Sequence, residues 1–113
     1  MHKLKNQLQR TTMIIYNVTV KVEPGIADKW MKWMKEEHLG EMMNTGLFSD
    51  YRFCRLMEQD ESEGVTFVIQ YHSDSIENYQ SYVNEHAPHM RKKGLDKFGN
   101  KFAAFRTVME VIN

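Results

Sequence analysis

The chain has 113 residues with 42% hydrophobic and 12% aromatic side chains, enough for one folded domain with an ordinary core and too apolar for a disordered chain. Its formal net charge is zero, so no global field draws it to nucleic acid or to an anionic membrane. No apolar run is long enough to span a bilayer, and the single cysteine, Cys54, excludes an internal disulfide and fits a reducing, cytoplasmic setting.

Three of the 15 basic residues (Lys3, Lys5, Arg10) and none of the 15 acidic ones fall in residues 1–12, which leaves the rest of the chain at −3. Residues 1–12 read as a basic, disordered extension. They are not a signal peptide, because Asn17, Thr19 and Lys21 interrupt the apolar run that follows. A single domain is expected over residues 13–113, starting at Met13. Met13 to Val22 alternates as a strand does: Ile14, Tyr16, Val18, Val20 and Val22 on one side, Ile15, Asn17, Thr19 and Lys21 on the other. Glu23-Pro24-Gly25 ends it, since Pro cannot donate to the ladder and Gly permits the turn. A helix follows, with Ile26, Trp30, Trp33 and Met34 on one face and Lys29, Lys32, Lys35 and Glu36 toward water. It is expected to break at Leu39-Gly40, restart through Met42 and Met43, and stop at Gly46.

Tyr51 to Glu58 alternates as a second strand, and the polar, acidic Gln59–Gly64 loop joins it to a third, Val65 to Tyr71. A second helix is expected from Asp74, with Glu77 three residues on as a capping box and Ile76, Tyr79, Val83 and Ala87 as its apolar stripe. Pro88 marks a break, a short helix reaches about Phe98, Gly99-Asn100 turns, and Phe102 to Ile112 is the last strand. Glu37–Leu47 aligns with Glu85–Leu95 at a constant offset of 48, with Glu, His, Met, Gly and Leu in register. The order β-α-β-β-α-β with a doubled half predicts an α+β, ferredoxin-like fold: a four-stranded antiparallel sheet with helices on one face. The other face carries Ile15, Leu56, Val68 and Val108 or their neighbours. It is too apolar to stand bare, which predicts a homodimer closed sheet to sheet.

His38 and His86 each follow a Glu at an expected helix end. That suits C-terminal capping. The chemical reading is acid–base work near neutrality, with Glu37 holding the His38 ring. His86 shares a helix face with Tyr79 and Tyr82, the rim of a core or the lining of a pocket. Asn17, Thr19, Gln70 and Arg106 are polar positions inside strand patterns. With Arg52 or Arg55 they would line a cavity for a small anionic or carbonyl ligand, because Arg grips a carboxylate with two parallel bonds. The plainer reading is hydrogen bonding across the dimer seam. Cys54 reads as a buried, inert thiol. Met31, Met34, Met42 and Met43 read as adaptable packing, with Met42 and Met43 as a flexible pocket wall in the alternative. His38, His72, His86 and His89 lack metal-ligand spacing and Pro88 intervenes, so neither metal nor cofactor is expected. Val65–Tyr71 lacks the aromatic pattern of an RNA-binding sheet, so no nucleic acid partner is expected.

MIIYNVTVKV, WMKWMKEEHLGEMMNTGLFSDYRFCRL, NEHAPHM and KFAAFRTVMEV together resemble a family of small bacterial proteins classed as a domain of unknown function, over about Met13 to Val111. More distantly the chain resembles the dimeric α+β barrel proteins, which include cofactor-independent monooxygenases, haem-degrading enzymes and ligand-sensing domains. That resemblance implies a sheet-to-sheet dimer with a cavity between sheet and helices. Asn17 and Trp33 with a helix histidine are similar to the haem-degrading members, although no haem motif is matched. Two functions follow. The first is a non-catalytic, homodimeric small-molecule-binding or interaction domain, its pocket under Trp30–Leu47 and its ligand residues drawn from Asn17, Trp33, Arg55, Gln70, Tyr79 and Arg106. The alternative is a cofactor-independent monooxygenase-like enzyme with His38 or His86 as acid and base.

Overall fold

The alternating run Ile14–Val22 forms strand β1 in the computed structural model, which describes residues 12–113. Apart from Thr12, the expected basic extension lies outside the described residues. One 3-10 turn (Pro24–Ile26) leads into α1 (Ala27–Trp33), a π-helical turn (Met34–His38) and α2 (Leu39–Asn44). Strands β2 (Asp50–Arg55) and β3 (Val65–Ser73) are joined by the acidic loop. Helices α3 (Ile76–Glu85) and α4 (Ala87–Phe98) precede β4 (Phe102–Glu110). The sheet is antiparallel throughout, in the order β2-β3-β1-β4. This is the ferredoxin-like βαββαβ arrangement. Among the described residues no helix is long and apolar enough to cross a membrane.

The central strands show why one sheet face is buried. Along β3, Val65, Phe67, Ile69, Tyr71 and Ser73 are buried while Thr66, Val68, Gln70 and His72 are not. Along β1, Ile14, Tyr16, Val20 and Val22 are buried on the same side. Successive side chains of a strand point to opposite faces, so each strand hands its odd or even set to the helices. The helices supply Trp30, Trp33, Met34, Leu39, Met42, Tyr82, Ala87 and Met90 in return. Aromatic rings dominate the result. Tyr16 lies within 5.4–6.1 Å, centroid to centroid, of Phe48, Tyr71, Tyr79 and Tyr82, inside the range where ring pairs attract beyond simple burial.

The first helical segment does not break at Leu39-Gly40. Trp33, Met34, His38 and Leu39 all keep right-handed helical dihedrals. What changes is the phase. Counted from Trp30, the inward positions Trp33, Met34, His38, Leu39 and Met42 fall at +3, +4, +8, +9 and +12. An α-helical face would repeat at +3, +4, +7, +8 and +11. One extra residue is absorbed between Met34 and His38, and the π-helical turn is where it goes. Without it, Glu37 would point into the core in place of His38.

Other expectations shift for local reasons. Ser75, not Asp74, caps α3: its hydroxyl accepts the Asn78 N–H at 3.1 Å. Starting one residue later leaves Ile76 40% exposed, so the stripe is Tyr79, Tyr82, Val83 and Ala87. Val108 pairs with Tyr16 and so shares the helix-facing side. It is the flanking Phe105 and Met109 that join Ile15 and Val68 on the open face. Cys54 is exposed rather than buried, because it sits on an edge strand with its side chain on that open face. The internal repeat holds at Leu39 and Ala87 and at Met42 and Met90, all buried. It lapses beyond them: Gly46 (φ 76°) follows the end of α2, whereas Gly94 lies inside α4.

Deleting the exposed Glu36 returns the inward positions to plain α spacing. The shortened chain is expected to keep its fold, with far-UV circular dichroism preserved and a denaturant midpoint close to that of the full chain. Loss of cooperative unfolding on deletion would contradict the phase-slip account.

Candidate functional site

A cavity of about 70 Å³ lies between the helices and the sheet. Its floor is Tyr16, Val18 and Val20 of β1, Ile69 and Tyr71 of β3, and Phe102, Ala104 and Arg106 of β4. The roof is Trp30, Trp33, Met34, His38 and Met42, closed by Tyr82 of α3 and by Met90, Arg91 and Gly94 of α4. Small residues keep it open. A Cβ on Gly94 would stand 3.6 Å from the Phe102 ring and 3.7 Å from Trp33, so any larger side chain would project into the space. Val18 belongs by parity to the buried set, yet it is only half-buried because the cavity lies above it.

The π-helical turn brings His38 into this wall. Its ring stacks on Trp33 at 4.7 Å and 26°, and its buried Nδ1 has no hydrogen-bond partner among the described residues. Burial lowers the imidazole from 6.5 to about 4; Glu41 opposes the shift, and Lys93 and Arg106 add to it. The ring is therefore neutral at pH 7 and free to accept or donate one hydrogen bond. Glu41 is itself held by Lys93 of α4, which leaves its charge largely spent. Three phenols, Tyr16, Tyr71 and Tyr82, line the cavity beside it. Burial raises both Tyr71 and Tyr82 above the ordinary phenol value, so both stay protonated, and the Tyr82 hydroxyl donates to the Met42 sulfur at 3.2 Å. Arg91 donates to the Tyr16 hydroxyl at 3.2 Å.

Of the residues singled out from sequence as candidates for a site, Trp33, His38, Met42, Tyr82 and Arg106 come together here, Met42 as part of the expected wall. The others lie elsewhere. His86 is at the α3–α4 junction, stacked on Tyr82 at 6.2 Å, its backbone N–H donating to the Tyr82 carbonyl. It occupies the C-cap position of α3 through its backbone. His38 lies mid-helix and caps nothing. Asn17 and Gln70 face each other on the open side of the sheet, the Gln70 amide donating to Asn17 at 3.3 Å. Arg55 forms a two-bonded ion pair with Glu61. Tyr79 packs on Tyr16 at the edge of the aromatic cluster. Arg91 and Met90 were not singled out. The signal was the α4 stripe Ala87, Met90, Gly94, Phe98, beside which Arg91 falls. Among the described residues no three of His, Cys, Asp and Glu gather as a metal-binding group.

Residues 13–112 match the model of a family described as a domain of unknown function (DUF4286). No curated protein matches the chain. Solved structures of similar fold include a dimeric ferredoxin-like protein from an uncultured marine organism, at TM-score 0.72 and 8% identity over 90% of this chain and 97% of that one. A second, from Caulobacter crescentus, is provisionally named an antibiotic biosynthesis monooxygenase; it aligns at TM-score 0.67 and 17% identity over 98% of this chain and 100% of its own. A third, from Bacillus cereus and provisionally given the same name, aligns at TM-score 0.62 and 15% identity over 90% and 95%. At these identities the likeness is one of fold.

The His38 shift carries a pH signature. Between pH 6.5 and about 4 the unfolded chain takes up a proton that the folded one refuses, so stability falls as pH falls through that window. Chemical denaturation is expected to show wild type losing about 2 kcal/mol more than His38→Phe between pH 7 and pH 5. Equal pH dependence in the two proteins would contradict the burial of the ring.

Proposed function

Since the chain belongs to the DUF4286 family, whose description names no reaction, we propose a function from the cavity itself: a homodimeric, small-molecule-binding domain without catalysis. The observation that carries this is a void with aromatic walls in which, among the described residues, one buried ring nitrogen is left without a hydrogen-bond partner. The His38 Nδ1 is unpaired, and two arginines stand at the lining. A cavity kept only by imperfect packing would be lined by apolar groups alone. Most small-molecule sites combine apolar walls with a few oriented polar groups.

The dimer is supported from two sides. The open sheet face presents Phe105 at 64% exposure, Met109 at 39% and Leu56 at 41%, with Ile15 and Val68 half-buried among them. Two structures of similar fold are described as dimeric. A second copy laid sheet to sheet would cover this face and the exposed Cys54. One domain over residues 13–113 and a cytoplasmic setting, read from the lone cysteine, belong to the same proposal.

A second reading keeps the alternative of a cofactor-independent monooxygenase-like enzyme. The neutral His38 with a free ring nitrogen supports it, because such a nitrogen can take a proton from a bound acid. In that case a bound ligand would be consumed, and His38→Phe would stop its consumption while leaving its binding.

Sedimentation at micromolar concentration is expected to give a dimer, and Phe105→Asp, on an exposed site, a monomer with unchanged circular dichroism. A wild-type monomer would remove the sheet-to-sheet assembly.

A further inference from the structure

We propose that the cavity's ligand is a small organic anion, a carboxylate on an apolar body of about one ring's size, with its charge held by Arg91 and Arg106. This rests on the small-molecule-binding reading above and names the class of molecule bound.

Charge decides the head group. The lining holds Arg91 and Arg106 and no Asp or Glu. Among the described residues neither arginine pairs with a carboxylate. The one acid acting on His38, Glu41, is taken by Lys93. Arg91 comes from α4 and Arg106 from β4, so two cations reach the lining from opposite layers. The Arg91 guanidinium is anchored, because it donates to the Tyr16 hydroxyl of a residue only 2% exposed. Both arginines are solvent-exposed as residues, which places the charge at the mouth and leaves the interior without a charged group. Two guanidiniums at a water-accessible mouth favour a carboxylate, which can take two parallel bonds from one and a further bond from the other.

Size and walls decide the body. A water position needs about 10–15 Å³, so about 70 Å³ holds roughly five such positions. That suits a short alkyl chain, or one ring seated partly in the open mouth, and not a fused polycycle. Trp30, Trp33, Met34 and Val18 give it flat and adaptable apolar contacts.

The test uses the chain's own reporters. Trp30 and Trp33 are its two tryptophans and both line the cavity. Benzoate, its neutral counterpart benzamide, and inorganic phosphate are titrated into the full chain while tryptophan fluorescence is followed. Benzoate is expected to give a saturable change, and benzamide and phosphate none at the same concentrations. Arg106→Gln and Arg91→Gln, with circular dichroism unchanged, are each expected to weaken benzoate by at least about tenfold. Two variants are used so that misfolding of one leaves the other to decide. If benzamide binds as well as benzoate, or both variants bind it unchanged, the anion assignment is overturned while a binding cavity stands. If no organic probe changes the fluorescence, the cavity reading falls with it.

Discussion

Trp33 and His38 stack face to face because the helix between them is one residue longer than an α-helix would make it. That single insertion turns an imidazole, rather than the carboxylate of Glu37, toward the sheet. The rest of the structure depends on the exchange. A charged Glu in that position would carry a large desolvation cost, whereas a neutral imidazole lying on an indole satisfies most of its surface by packing. π-Helical turns are uncommon and often mark functional positions. Here the turn sets the only histidine that meets the cavity among the described residues.

The cavity follows from what surrounds that stack. Tyr16, Tyr71, Tyr82, Phe48 and Tyr79 fill one end of the helix–sheet interface with interlocking rings. Trp30 packs on Phe67 and Phe53 at another. Trp33, Phe98 and Phe102 close a third. Large, rigid rings cannot collapse onto the gap left by Gly94 and Ala104, so a void survives at their junction. Its polar groups are few and face inward or toward the mouth, and its charges are all of one sign. On the reading proposed above, such a site would select by size and charge. The molecule thus shares its fold with proteins provisionally named as monooxygenases while its own residues argue first for recognition.

How much of this could be read from the chain depends on where each residue sits. β1 and β3 were legible because they are central strands with one covered face, so parity and burial agree at every position but Val18. Edge strands broke that link. Cys54 alternates correctly, but its burial depends on what lies over the sheet, and the side Val108 takes is set by its pairing with Tyr16, which the strand pattern alone does not give. The π-helical turn looked like a break at Gly40, because a 3.6-residue period cannot absorb an extra residue and the glycine offered an easy culprit. Asp74 and Ser75 are both competent caps, and only the backbone tells which one precedes the first turn. The site itself was half legible. His38 and Trp33 lie five residues apart on one helix and meet Arg106 of β4 at the cavity. Asn17 and Gln70 were separable from them in principle, since their odd and even positions oppose Tyr16 and Ile69 on the same strands. Arg91 was hidden inside a basic run where Lys92 and Lys93 carry the same charge and face elsewhere.

The inward turn of His38 can be read directly from its titration. In a nitrogen-15 spectrum of the imidazole groups across pH 3 to pH 8 (a range of about five units around the ordinary histidine value), the His38 ring should stay neutral until pH falls to about 4. A midpoint near 6.5, the ordinary value, would mean that the ring faces water, that the helix carries no phase slip into the core, and that the cavity lacks its histidine wall.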